Sequence, residues 1–169
     1  MPLDVIVIDF FHWPHEETGT LIRYIGRTRL LWYVNWIVWD QINGVGLANG
    51  GAGQCNYPEM LDQGFLTRSD SGKRLGQLGQ AAIFDATNPA ARQFVWGQIK
   101  ANYYDKGIHI FWLDEAEPEL TGYEFQHYRY FLGPDMEVGN LFPREYARMA
   151  YEGMTEAGQQ PVLNLLRCA

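Results

Sequence analysis

Phe111-Trp112-Leu113-Asp114-Glu115-Ala116-Glu117-Pro118-Glu119 passes from an apolar strand to a run of acids broken by proline. It completes an apolar run, Ile108-His109-Ile110-Phe111-Trp112-Leu113, with the length and β-prone residue types of a buried strand. Asp114 stands where that strand should stop. Pro118 has no N–H for a ladder and prevents the strand from resuming. A carboxylate at the tip of a buried strand costs desolvation energy, where Ser or Gly would cost little. At the C-terminal end of a parallel strand, an acid points into the region where α/β barrels carry out their chemistry.

The same grammar recurs on either side. Asp4-Val5-Ile6-Val7-Ile8-Asp9-Phe10-Phe11 predicts a buried strand over about 4–9, with Asp9 at its end. Residues 88–106 predict a helix: Asn88 is the N-cap, Pro89 takes the first helical position, and Phe94, Val95, Ile99 and Tyr103 recur at helical spacing. Gly107 closes it, and residues 108–113 are the next strand. Pro143 opens a second helix, with Tyr146, Met149, Ala150 and Met154 on one face and Gly158 at its end. Pro161-Val162-Leu163-Asn164-Leu165-Leu166 is a third strand, and Arg167 lies at its tip. Strand, helix, strand, helix, strand is the alternation of a parallel sheet. A doubly wound sheet also binds ligands at strand C-termini, but no glycine-rich fingerprint follows the first strand. The expected class is α/β, a partial (β/α)8 barrel: about four strands can be counted where a full barrel has eight.

Composition narrows the function classes. The chain carries 15% aromatic residues and 47% hydrophobic residues, enough for a core and compatible with a cleft lined by aromatic faces. A net charge of −7 without a basic block speaks against nucleic acid. There is no run of 18 apolar residues and no signal-peptide pattern, so neither membrane nor leader is expected, and a cytoplasmic location follows. Cys55 and Cys168 give neither a disulfide framework nor a metal spacing. His12 and His15 lack a third ligand, and the acids of 114–119 lack the Asn, Asp and Gly spacing of a calcium loop. No metal or other cofactor is expected.

VIDFFHW (7–13), FDATNPAARQFVW (84–96), GIHIFWLDEAEPE (107–119), YRYFLGPDMEVGNLFPREYA (128–147) and GQQPVLNLLRCA (158–169) together resemble glycoside hydrolase family 31, and most of all its α-xylosidase branch. The resemblance covers residues 1–16 and 56–169. It implies a (β/α)8 catalytic barrel and a retaining mechanism on an oligosaccharide substrate. The family's nucleophile falls on Asp114. Its sugar-binding acid falls on Asp9, and its strand-tip arginine on Arg167. Retaining hydrolysis needs a second carboxylate as acid/base, about 5–5.5 Å from the nucleophile. The family's lies downstream of the arginine strand and outside residues 1–169. Bland alternatives stand beside these roles. Asp9 can cap a loop, and Arg167 can pair with Asp114 as a structural ion pair. Glu117 reads as a brace on the motif loop, and Glu115 and Glu119 as solvated. Trp13 and Trp112 read equally as pocket walls or as core.

Residues 18–55 depart from the family pattern. The segment lacks a clear period, and Gly and Asn cluster over 43–53. Codons rebuilt across residue junctions, with wobble bases chosen freely, give Trp-Asn-Phe-Asp-Pro-Ile-Tyr-Trp-Pro-Asp-Pro from Thr18 onward and then an amphipathic helix. The other shifted frame gives an apolar strand ending in Trp-Pro from Trp39 onward. Both are family-like and in family order. The expectation is a frameshifted or otherwise anomalous segment, the least regular part of the chain. A natural insertion is the alternative.

Overall fold

The structure is a computed structural model that describes residues 5–8, 29–34, 37–39, 57–70, 81–113 and 125–168. Its centre is a four-stranded parallel sheet of β1 (Val5–Ile8), β2 (Arg29–Val34), β6 (Ile110–Leu113) and β9 (Leu165–Leu166), in the order β1-β2-β6-β9. Val5 pairs with Arg29, Leu31 with Ile110, and Trp112 with Leu165. Two antiparallel units accompany it. One pairs β3 (Ile37–Trp39) with β5 (Ala81–Ile83). The other joins β4 (Arg68–Ser69), β7 (Tyr128–Tyr130) and β8 (Gly133–Pro134). The helices are α1 (Tyr57–Asp62), α2 (Pro89–Asn102), α3 (Asp135–Val138) and α4 (Phe142–Glu156). The connections β2 to β6 and β6 to β9 each carry a long helix, α2 and α4, as parallel pairing requires. This is the partial (β/α)8 barrel that the strand–helix alternation predicts.

Local chemistry sets the helix ends. The Asn88 side chain accepts from the N–H of Ala90 at 3.0 Å, and Pro89 follows with its φ already helical. The helix expected over 88–106 ends at Asn102. Tyr103 leaves helical geometry, and a 3₁₀ turn at Tyr104–Lys106 ends on Gly107, whose φ of 101° favours glycine. Val95 and Ile99 are buried as their spacing predicts, whereas Phe94 and Tyr103 are partly buried at the core's edge. On α4, Tyr146, Met149, Ala150 and Met154 all lie in the core. The strand expected over 161–166 shortens to 165–166, because Pro161 has no N–H and Asn164 bonds through its side chain.

Inside the segment expected to be irregular, residues 29–34 form β2, an interior strand of the sheet, and residues 37–39 form β3. Arg-Leu-Leu-Trp-Tyr-Val is apolar and β-prone, which suits that place. The expectation of least regularity therefore does not hold for these two stretches. The remainder of 18–55 lies outside the described residues.

α2 and α4 pack tightly against each other. A Cβ at Gly153 would fall 2.2–2.4 Å from the indole of Trp96. Alanine is favoured over glycine in a helix interior by about 1 kcal/mol. Overpacking costs about 1–3 kcal/mol, and contact this close forces the indole to move, so overpacking should win. Gly153→Ala is expected to lower the denaturation midpoint of the full-length protein. A raised midpoint would contradict the close α2–α4 contact.

Candidate active site

The parallel sheet has two unlike faces. Phe111 and Leu113 on β6 are fully buried in one cluster with Ala91, Val95 and Ile99 of α2 and with Phe142, Tyr146 and Met154 of α4. Their neighbours Ile110 and Trp112 are only half-buried and face the other way, by strand alternation. The last strand repeats the pattern. Val162 and Leu166 pack on the helix-side cluster, while Leu163 and Leu165 are 61% and 50% exposed. Arg167 follows Leu166, is exposed, and continues the Leu163–Leu165 face. In a closed barrel this face is the interior.

At the C-terminal edge of the sheet, Leu113 pairs with Leu166, and the N–H of Arg167 donates to the carbonyl of Leu113 at 3.1 Å. The structure thus brings Arg167 to the end of the strand that leads into Asp114. Trp112 is neither core nor fully exposed. It lies on the interior face one residue before the end of β6. Asp9, Trp13, Asp114 and Glu117 lie outside the described residues, as do Glu115, Glu119, His12 and His15. Ile8 and Leu113 are the described residues immediately before the first and third of these.

Apolar surface on the interior face has a measurable consequence. The 169-residue chain on its own should bind ANS and melt broadly, because the described apolar residues Leu163 and Leu165 of this face are largely exposed. A sharp cooperative transition without ANS binding would contradict the open face.

A buried polar network joins the loop before α2 to the β7–β8 hairpin. Asp85 is 2% exposed. Its Oδ1 accepts from the N–H of Thr87 at 2.9 Å and from the Thr87 hydroxyl at 2.6 Å. Its Oδ2 accepts from the N–H of Phe131, and the Thr87 hydroxyl accepts from the N–H of Leu132 at 3.3 Å. Burial pushes the Asp85 carboxyl above the usual range, and these donors oppose the shift. The carboxylate clamps the loop before α2 to the β7–β8 hairpin. Tyr130 of that hairpin is buried near Asp135 and Asp85. Burial, and then those two charges, push its phenol up, so it stays protonated at neutral pH. Burial also raises the Asp135 carboxyl, against a lowering by Tyr130.

Sequence reasoning assigned no role to Asp85 or Asn164. Asp85 carried the same signal as Asp114, an acid closing the apolar run Ala81–Phe84. Asn164 carried a weaker one, a single amide inside Val-Leu-Asn-Leu-Leu. Among the described residues, no group of three or more His, Cys, Asp or Glu could hold a metal ion. No helix among them is long and apolar enough to cross a membrane.

The sequence profile of the glycosyl hydrolases family 31 TIM-barrel domain matches residues 1–168. The uncharacterized family 31 glucosidase ORF2 of Pseudescherichia vulneris is 40% identical over 182 residues, spanning 100% of this chain and 32% of that protein. Alpha-xylosidase A of Aspergillus niger is 25% identical over 186 residues, covering 93% of this chain and 24% of its own length. Among solved structures, a GH31 alpha-xylosidase from a soil metagenome, complexed with xylose, superposes with a TM-score of 0.80 at 41% identity. That match covers 99% of this chain and 25% of the other. The chain therefore spans about a third of the first relative and a quarter of the others. Sequence motifs, half-barrel topology and these matches agree, and the chain belongs to glycoside hydrolase family 31, as part of its TIM-barrel domain.

Proposed function

We propose that the enzyme carrying this chain is a retaining, exo-acting α-glycosidase that releases terminal α-linked xylose from oligosaccharides. Asp114 attacks the anomeric carbon and forms a covalent glycosyl-enzyme, which water then hydrolyses. Asp9 and Arg167 bind the hydroxyls of the terminal sugar. Trp112 and Trp13 wall its pocket, and Glu117 braces the motif loop. The acid/base carboxylate that retention requires is not assigned within residues 1–169.

One observation carries the reading: the rim order of β6 and β9. Leu113 and Leu166 are paired, so β6 and β9 end at the same level, with Asp114 next in sequence after the one and Arg167 after the other. By alternation Arg167 shares the face of Ile110 and Trp112, the face on which the proposed nucleophile would act. An acid and an arginine on one barrel rim fit a nucleophile beside a group that holds sugar hydroxyls. Xylose is preferred over glucose because the 41%-identical solved relative is an alpha-xylosidase complexed with xylose. A second reading, α-glucosidase, is favoured by the 40%-identical relative described as a glucosidase.

The test uses the full-length enzyme with matched aryl α-xyloside and aryl α-glucoside. NMR of the first-formed sugar should show the α-anomer, with a higher kcat/KM for the xyloside. A β-anomer as first product would overturn retention. A glucoside preference would move the assignment to the second reading. Reversible sugar binding without turnover by either substrate would leave only a sugar-binding barrel.

A further inference from the structure

The sheet edge that carries Arg167 is held by little main-chain pairing. β9 has two residues, and its ladder with β6 consists of the pairs Trp112–Leu165 and Leu113–Leu166. Beyond the first pair, the N–H of Phe111 donates to Oδ1 of Asn164 at 3.0 Å, a side-chain acceptor where a longer strand would offer a carbonyl. The Asn164 amide nitrogen lies 3.3 Å from the sulfur of Met154 on α4. One half-buried amide thus ties the end of β9 to β6 and to the helix beneath it. Farther back, the Gln159 side chain donates to the carbonyl of His109 at 2.9 Å, a second side-chain amide that ties the approach to β9 to the strand before it.

We propose that Asn164 is a positioning residue: its side chain sets the register of β9, and through it the height of Arg167 relative to Asp114. The inference rests on the roles proposed above for those two residues. A two-residue ladder supplies few main-chain bonds, so the Asn164–Phe111 bond adds to the register that burial of Val162 and Leu166 already specifies. A slip of one residue moves the strand by about 3.3 Å and turns Arg167 toward the helix side. Even a shift of about 1 Å in a positioning group can cost on the order of a hundredfold in rate. Leucine, the residue type on both sides of Asn164, would fill the same space but could not accept from Phe111. Asn164 is therefore where an apolar strand gives up burial in exchange for register.

A double-mutant cycle in the full-length enzyme tests this. Asn164→Leu, Arg167→Ala and the double variant are compared by kcat/KM on an activated aryl α-glycoside, which keeps slow variants measurable. Active sites are counted by covalent titration with a 5-fluoroglycosyl fluoride, so misfolded protein does not count. Per titrated site, Asn164→Leu is expected to lower kcat/KM by about ten- to a hundredfold, and to have almost no further effect when Arg167 is already alanine. Asn164→Asp keeps the acceptor and should retain most of the wild-type value. Equal losses from Asn164→Leu in both backgrounds would overturn the inference, and so would an Asn164→Asp variant as poor as Asn164→Leu. Wild-type enzyme that turns over substrate without label on Asp114 would overturn the functional reading, and this inference with it. Additive losses with normal labelling would overturn the inference alone.

Discussion

Asp114→Asn in the full-length enzyme is expected to lower turnover of an activated aryl α-xyloside by on the order of a thousandfold or more, with the fold intact. Losing a covalent nucleophile removes the bond-forming step itself, and each factor of ten corresponds to about 1.4 kcal/mol in the barrier. The amide is nearly isosteric with the carboxylate, so a loss of this size cannot come from packing. Asp114→Ala should be equally slow but should recover part of its rate in azide, which enters the space and attacks the anomeric carbon in place of the missing carboxylate. The azide product should be a β-glycosyl azide, since a single displacement inverts. Near-normal turnover by either variant, with wild-type contamination excluded, would remove Asp114 from the mechanism.

The largest stability effect is expected at the junction of the two helices behind the sheet. Arg92 on α2 and Glu145 on α4 form an ion pair at 3.1 Å, with side chains only 11% and 7% exposed. Arg92 also donates to the carbonyl of Ala86 at 2.8 Å, in the loop that Asp85 clamps. Removing one partner of a buried pair leaves an uncompensated charge and costs about 3–5 kcal/mol. Arg148 lies 3.5 Å from Glu145 and can satisfy part of its charge, so Arg92→Met should fall at the lower end of that range. The double variant Arg92→Met/Glu145→Met removes both charges and should recover most of the loss, because well-packed apolar groups often replace a buried pair at little cost. Urea denaturation of the single and double variants checks this. A double variant as unstable as the sum of the two single ones would show that the pair is not what holds α2 to α4.

Much of this architecture is legible in the sequence because its signals are local. Asn88-Pro89 marks the start of α2, since an N-cap acceptor and a preset φ need no distant partner. Tyr146, Met149, Ala150 and Met154 mark the buried side of α4, since a helix shows its core face as a period. The apolar runs ending at Leu113 and Leu166 mark strand ends that meet side by side on one edge.

What stayed hidden depends on partners far along the chain. Asp85 and Asp114 look alike in sequence, each an acid at the end of an apolar run. Only the fold shows that Asp85 is occupied by donors from Thr87 and from Phe131, 46 residues away. The short length of β9 was hidden for the same reason, because Asn164 bonds to Phe111 across 53 residues. Residues 29–34 carry enough β-prone character to form a strand although their segment departs from the family pattern. Reading the DNA across codons 17–56 would decide the coding origin of that segment. The frameshift reading predicts the family's aromatic loop, helix and strand in alternative frames, and an in-frame gene with no such match would end it.

Retention through a glycosyl-enzyme requires that Asp114 become covalently attached to sugar. Its most direct test is to inactivate the full-length enzyme with a 5-fluoro-α-xylosyl fluoride, digest it, and locate the added mass by tandem mass spectrometry. One fluoroxylosyl group per active site is expected on the peptide containing Phe111-Trp112-Leu113-Asp114, attached at Asp114 and released on transglycosylation as activity returns. A label on a different carboxylate, or steady turnover with no covalent species under trapping conditions, would contradict it.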